Sequence, residues 1–179
     1  MESNYLESEN YGNSISKVDD LKERSPTKLN LGSGNDFHKG WLNVDLGEED
    51  VYGNKIKCPV DFYWDMNVYP YPFAKDNQFK EILMRGTLGQ VQDIFKFVKE
   101  LKRITCKGAI IRIEVPHFAH ADSYQEWRTN KFGLNCRTVK DLFRKYNIAL
   151  ISKRLNYHNG FLKWLNPIVN LNELYSDVS

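Results

Sequence analysis

The sequence predicts an α/β domain built on a mostly parallel central sheet flanked by helices, and three observations carry that expectation. Short apolar runs of strand character alternate along the chain with segments of helical spacing, the order expected of βαβ units. A glycine pair follows the first apolar run directly, in the stretch LNLGSGNDFHKGWLNVDL, residues 29–46. An aspartate, Asp45, closes the next run eleven residues after the second glycine.

Length and composition set the bounds. The chain has 179 residues, which points to one domain, since domains usually run about 100–200 residues. A hydrophobic share of 41% and a charged share of 27% are globular values, and they exclude a disordered or fibrous chain. A net charge of +2 and the lack of a long Lys/Arg block leave no basic stripe for nucleic acid. The three cysteines, Cys58, Cys106 and Cys136, are scattered and lack CxxC spacing, so neither a metal site nor a disulfide framework is expected. No apolar run approaches about 18 residues, and the first residues hold no signal-peptide-like apolar segment. A cytoplasmic protein without a transmembrane segment is the expectation.

The elements follow in order. Residues 1–26 are polar and read as an N-terminal tail or loosely docked lead-in, with a turn of helix near Val18–Leu21. Pro26 marks entry to the main domain, placed at 27–179. Lys28–Leu31 and Trp41–Leu46 read as the first two strands and Cys58–Tyr63 as the third. Val68–Gln78 (VYPYPFAKDNQ) cannot be a regular helix, because Pro70 and Pro72 lack a donor and bias their predecessors to extended shapes. It reads as an aromatic-rich loop, and Phe79–Met84 as the fourth strand. Val91, Ile94, Phe95, Val98, Leu101 and Ile104 then fall at helical spacing. Asp93 stands near the start of that helix, basic residues fill its end, and Gly108 is the expected stop. Ala109–Val115 (AIIRIEV) is the fifth strand, ended by Pro116. Thr138 with Asp141 makes a capping-box-like start for a helix bearing Val139, Leu142, Phe143 and Tyr146. Ile148–Tyr157 is the expected last strand.

In open α/β sheets, ligands sit outside the carboxyl ends of the strands, where strand order reverses. Gly32 and Gly34 directly follow the first strand, where backbone approaches a ligand closely and adopts positive φ. Asp45 ends the second strand at the same edge, and an ionised carboxylate there can accept both hydroxyls of a ribose. A plain turn beside a strand-end aspartate explains the same residues without a ligand. The dinucleotide fingerprint GxGxxG fits less well, since it needs a third glycine at Phe37 and an acid about 20 residues on. A P-loop is excluded because no GK[ST] follows the glycines.

Joined to the later segments, this stretch resembles the class I S-adenosylmethionine (SAM)-dependent methyltransferases, in particular the compact methyltransferase type 11 domains, over roughly Lys28 to Tyr157. LNLGSG…GWLNVDL is similar to the family's glycine loop and second-strand acid. DFYWDMNVYPYPFAKDNQFKEIL looks like its third strand, proline-containing loop and fourth strand, and VQDIFKFVKELKRITCKGAIIRIEVPH like its amphipathic helix and fifth strand. The resemblance implies a Rossmann-like class I methyltransferase fold, compact, with a reduced C-terminal hairpin. It implies a cofactor site of Leu31, Gly32, Ser33, Gly34, Asp45 and Leu46 around the methionine and ribose, Asp65 and Met66 at the adenine, and Arg85 beyond the fourth strand. The implied cofactor is S-adenosyl-L-methionine, leaving S-adenosyl-L-homocysteine (SAH) as product. Two stretches depart from the family. RGTLGQV, Arg85–Val91, stands in place of a His-x-Leu-Glu-His-like run, and Cys106-Lys107-Gly108 in place of Pro-Gly-Gly.

Methyl transfer from a sulfonium is an in-line displacement without a covalent enzyme intermediate, so the protein's share is mostly positioning, worth about 7–11 kcal/mol. An oxygen or nitrogen acceptor also needs a base in reach. The loop PHFAHADSYQEW offers His117 as the catalytic candidate, with His120 and Asp122 behind it; a strand-end cap explains His117 as well. Arg85 reads as an anionic-acceptor contact or a plain exposed arginine, and Arg112 with Glu114 as a solvated pair. Tyr63, Trp64, Tyr69, Tyr71 and Phe73 read as core packing or as the wall of an adenine or acceptor site. Within 158–179, FLKWLNPIVNL reads as a packed terminal segment, a lid, a dimer contact or a membrane-surface patch.

The expected function is SAM-dependent methyl transfer to a small-molecule or glycan- or lipid-related acceptor, with no nucleic-acid partner and a homo-oligomer as an open assembly. The alternative is a non-catalytic domain of the same fold that binds SAM, SAH or a protein partner, which the altered RGTLGQV run favours. An NAD-type oxidoreductase is a third reading, weakened by the missing third glycine.

Overall fold

The computed structural model describes residues 14, 16–47, 55, 57, 59–115, 136–149 and 151–152. The chain divides into two compact units, Met1–Asn135 and Cys136–Ser179. The sheet and every described site residue lie in the first.

Helix α1 (Val18–Arg24) precedes strands β1 (Lys28–Leu31), β2 (Leu42–Asp45), β3 (Phe62–Tyr63) and β4 (Phe79–Arg85). Helix α2 (Ile94–Ile104) then leads into β5 (Thr105–Glu114). All described strands pair in parallel in the order β3-β2-β1-β4-β5. From β1 the chain steps outward through β2 to β3, then returns to the other side of β1 for β4 and β5. Strand order therefore reverses between β1 and β4, whose carboxyl ends flank the crevice where such sheets take ligands.

The central strands are buried, as in a covered parallel sheet, with an apolar face on β1 and β2 and the paired Asn30 and Asn43 on the other. Leu29, Leu31, Leu42, Val44, Ile82, Leu83 and Met84 are all buried. Helix α2 adds Phe97, Val98, Leu101 and Ile104 to the core. Its start is set by Asp93, whose carboxylate accepts the N–H groups of Phe95 and Lys96 at 3.1 and 3.0 Å. The aromatic loop packs inward: Tyr71 and Phe73 are buried, their rings 5.3 Å apart, and Phe73 lies 5.1 Å from Phe62. Buried Glu100 ties this loop to α2. Its carboxylate accepts the Tyr71 N–H at 2.7 Å and two guanidinium N–H groups of Arg103 at 2.6 and 2.8 Å.

Several boundaries differ from the sequence reading. β3 is two residues, not the run Cys58–Tyr63, because Asp61 turns its carboxylate to the Asn43 N–H at 2.8 Å. Helix α2 ends four residues before Gly108: Thr105 bonds its hydroxyl to the Leu101 carbonyl at 2.8 Å and already starts β5. Gly108, at φ +80, sits within β5 where the pairing with β4 is irregular. Phe95 is 52% exposed and not part of the buried stripe. In the second unit, helix α3 (Cys136–Arg144) begins two residues before Thr138, so Thr138 lies inside the helix and Tyr146 in the turn after it. Residues 148, 149, 151 and 152 are not strand, so the expected last strand does not start at Ile148. Its remainder, Cys58, His117, His120, Asp122 and the segment 158–179 lie outside the described residues. In the lead-in, α1 is docked: Leu21 is buried, and Ser14 Oγ accepts the Tyr63 N–H at 2.8 Å.

Candidate functional site

The site begins with an unusual crossover. Parallel neighbours are usually joined by a dozen or more residues, most often a helix, yet residues 32–41 join β1 to β2 with turns and no helix. Two buried asparagines, Asn30 and Asn43, paired in register, make this possible. Asn43 Nδ2 donates to the carbonyls of His38 and Trp41, each at 3.1 Å, and to Asp61 Oδ2 at 2.8 Å. Its Oδ1 accepts the His38 N–H at 3.0 Å and Asn30 Nδ2 at 3.1 Å. Asn30 Nδ2 also reaches the Asp36 carbonyl at 2.6 Å. Side chains thus satisfy loop groups that a helix would have paired within itself.

The glycine loop is held from both sides. Gly32 and Ser33 donate their N–H groups to the Val44 carbonyl at 2.8 and 3.0 Å, and Gly34 donates to Asp45 Oδ2 at 2.7 Å. Gly32 (φ +71) and Gly34 (φ +48) both use the left-handed region. A Cβ on Gly32 would fall 2.4 Å from Thr87 Oγ1 and 2.8 Å from Thr87 Cγ2, whereas the same position on Gly34 is open. Thr87 is buried; its hydroxyl donates to the Leu31 carbonyl at 3.1 Å, with the Arg85 carbonyl at the same distance.

Asp45 lies at the end of β2 with its oxygens partly used. Oδ2 accepts from Gly34, Oδ1 accepts the Leu46 N–H at 2.7 Å, and the Gly47 N–H also bonds to it. Burial pushes its pKa above the ordinary 3.8, against the pull of these three N–H groups. A carboxylate offers about four acceptor positions, so it retains room for a further donor. In the same glycine loop, the hydroxyl oxygen of Ser33 is buried without a hydrogen-bond partner. A buried hydroxyl left unmatched costs about 1–3 kcal/mol. Ser33 and Asp45 therefore fit a ligand that carries hydroxyl groups.

Other predicted residues sit around this centre. Asp65 and Met66 follow β3 and bond within their own loop: Asp65 Oδ1 accepts the Asn67 N–H at 2.9 Å, and the Met66 carbonyl accepts the Tyr71 hydroxyl at 2.8 Å. Asn67 Oδ1 accepts the Gln92 N–H at 2.8 Å, joining that turn to the segment before α2. The Tyr69 hydroxyl is a second buried, unpartnered oxygen. Its pKa is raised by burial first, then by the charges of Asp93, Asp65 and Glu100. Arg85, the last residue of β4, pairs through Nη1 with Asp36 Oδ2 at 2.6 Å and through Nε with Glu114 Oε2 at 3.2 Å. His38 Nε2 stands 3.1 Å from the same Asp36 oxygen.

The structure thus gathers Leu31, Gly32, Ser33, Gly34, Asp45 and Leu46 at the carboxyl ends of β1 and β2. Arg85 reaches them through Asp36, while Asp65 and Met66 lie past β3. Sequence reasoning missed Asp36, Thr87, Asn30 and Asn43. The asparagines had a readable signal, for each interrupts a short apolar run (LNL and LNV) at its centre, where a buried strand normally stays apolar. Among the described residues, no group of three or more His, Cys, Asp or Glu side chains could hold a metal ion. No helix among them is long and apolar enough to cross a membrane.

No known family model matches the chain, and no curated protein matches it. Solved structures do. One is a chain from the complex of the Haloferax volcanii Trm112 methyltransferase activator with its assigned methyltransferase. The similarity has a TM-score of 0.59 at 14% identity, over 89% of this chain and 83% of that one. Another is a SAM-dependent methyltransferase from Aquifex aeolicus, with a TM-score of 0.50 at 17% identity, over 84% of this chain and 88% of that one. The fold is that of the class I methyltransferases.

Proposed function

We propose that the chain is a SAM-dependent methyltransferase whose cofactor lies at the carboxyl ends of β1 and β2. One observation carries this: the glycine loop runs into β2 with its N–H groups already committed. A phosphate-bearing nucleotide needs free N–H groups at the start of a helix. Here Gly32, Ser33 and Gly34 donate to Val44 and Asp45, and no helix follows. What the loop still offers is the Ser33 hydroxyl and the one acceptor position left on Asp45. These suit a ribose and not a pyrophosphate, which argues against NAD and agrees with SAM, a nucleoside without phosphate.

When bound, SAM supplies an electrophilic methyl group on a sulfonium, open to in-line displacement. Asp45 would hold the ribose hydroxyls, Leu31–Gly34 and Leu46 would flank them, and Asp65 with Met66 would meet the adenine. The chain's own work is to orient the reacting groups and exclude water, worth about 7–11 kcal/mol. His117, just past β5, is the proposed base for an oxygen or nitrogen acceptor. A small molecule or a glycan- or lipid-related compound is the proposed acceptor.

A second reading has its own support. In the RGTLGQV run, Arg85 and Thr87 are engaged with Asp36, Glu114 and Leu31, which leaves no acid or base of that turn for an acceptor. This favours a non-catalytic domain that binds SAM, SAH or a protein partner, and one structural neighbour comes from a complex with an activator protein.

Calorimetric titration separates the readings. SAM and SAH are expected to bind with Kd about 1–100 μM, roughly −8 to −5.5 kcal/mol, and NAD to give no heat. Heat with NAD and none with SAH overturns the proposal. Binding without turnover across a panel of acceptors selects the non-catalytic reading.

A further inference from the structure

A glycine loop in a doubly wound sheet ordinarily opens a helix, whose packing on the sheet keeps the loop in place. Residues 32–41 have no such helix. The backbone of the loop is held by Val44, Asp45 and the Asn30–Asn43 pair, which reaches as far as the Asp36 carbonyl and both backbone groups of His38. Its tip, Asp36 to His38, is reached from across the crevice by Arg85.

We infer that Arg85 is a positioning residue that fixes the Asp36 side chain at the tip of the glycine loop, beside the β1/β4 crevice, and so adds a side-chain link to the asparagine bonds that hold the loop's backbone. Arg85 ends β4 on one side of the point where strand order reverses, and Asp36 follows β1 on the other. The ion pair at 2.6 Å therefore bridges the crevice itself. Arg85 is held at two points: its Nε pairs with Glu114 Oε2 of β5 at 3.2 Å, while Nη1 donates to Asp36. Gly86, at φ +66, turns the chain sharply after Arg85, with its N–H on the Glu114 carbonyl at 2.8 Å, so the arginine stays at the strand end. The cluster of one guanidinium between two carboxylates carries no net positive charge to attract an anionic ligand, which argues for clamping over direct ligand binding. The pair is partly exposed, at 45% and 39% of the two side chains. Such pairs contribute little to global stability, so removing one should loosen the turn at Asp36 without unfolding the domain.

The inference deepens the SAM reading, and its binding arm rests on that reading. The test compares Asp36→Asn, Arg85→Gln and the double variant by SAH titration and by amide hydrogen exchange of the ligand-free chain. Each single change is expected to weaken SAH about three- to tenfold, and the double change no further, because both remove one link. Exchange at residues 34–41 is expected to quicken in all three variants while β1 and β4 keep their protection. Losses that multiply in the double variant would mean that Arg85 touches the ligand itself, and would overturn the positioning role. Unchanged exchange at 34–41 overturns it equally. A wild-type chain that binds no SAH sinks the cofactor reading alone, because the exchange arm needs no ligand and still decides the clamp.

Discussion

A Cβ on Gly32 would lie 2.4 Å from the hydroxyl oxygen of Thr87, so the turn after β4 fits the turn after β1 only while residue 32 is glycine. Gly32→Ala meets both this overlap and a φ of +71, and is expected to destabilise the fold by about 2–5 kcal/mol. Gly34→Ala meets only its φ of +48, with open space at the Cβ position, and is expected to cost about 1–2 kcal/mol. Chemical denaturation of the two variants measures the difference. Adding Thr87→Ala to Gly32→Ala should recover part of the loss; equal costs at 32 and 34 would show that the contact does not decide the glycine.

Asn43 is the second point on which the loop depends. Asn43→Ala leaves the His38 N–H, the His38 and Trp41 carbonyls and the Asp61 carboxylate short of a partner, and about 2–4 kcal/mol of stability is the expected loss. Asn43→Asp keeps the shape and replaces the donating amide with a carboxylate that faces Asp61 Oδ2 and two carbonyls. It should cost at least as much at neutral pH and recover on acidification, as the new carboxyl becomes a donor. Urea melts at neutral and mildly acid pH test this.

These two residues also show what a sequence can and cannot tell. Lys28–Leu31 was legible to the residue because Pro26 and the glycine pair bracket a single apolar run. The placement of Gly32, Gly34 and Asp45 at neighbouring strand ends was legible because strand ends and backbone freedom are local features. Thr87 was not, since its importance lies in a contact with a residue far along the chain, and a threonine between two turns carries no pattern. Phe95 misled for a related reason: at helical spacing it belongs to the stripe with Val98. The buried face instead extends the other way from Val98, through Leu101, Phe97 and Ile104. Periodicity gives a face only up to the tertiary partner that selects it.

Glu100 offers a test of the clasp between α2 and the aromatic loop. Buried at 6% exposure, it holds the Tyr71 N–H and the Arg103 guanidinium together. Glu100→Ala removes one partner of a buried pair and should cost about 3–5 kcal/mol. Glu100→Gln still accepts the Tyr71 N–H, and Arg103 keeps Asp76 at 2.6 Å, so about 1–3 kcal/mol is expected. Denaturant melts decide between charge and hydrogen bonding: equal costs for the two variants would assign the clasp to the ion pair alone.

Asp45 links stability and ligand affinity through one proton, with opposite signs. Burial raises its folded pKa above the ordinary 3.8, while in the unfolded chain the carboxyl returns to that ordinary value. Between the two, the folded state binds a proton that the unfolded state has released. The stability contributed by this group is therefore greatest at the acid end of that window and falls as pH rises through the folded pKa. The proposed ribose contact runs the other way, because protonation removes acceptor capacity from the carboxylate. SAH affinity is thus expected to decline as pH falls through the folded pKa, and to be flat well above it. Titrating SAH from about pH 8 down to about pH 4, beside unfolding midpoints at each pH, reads both slopes. Asp45→Ala should weaken SAH by about 1–3 kcal/mol at neutral pH and abolish the acid decline. It should also destabilise the chain, since the Gly34 and Leu46 N–H groups lose their acceptor. A wild-type affinity that does not change across this range would remove Asp45 from the ribose contact while leaving its role in bracing the glycine loop intact.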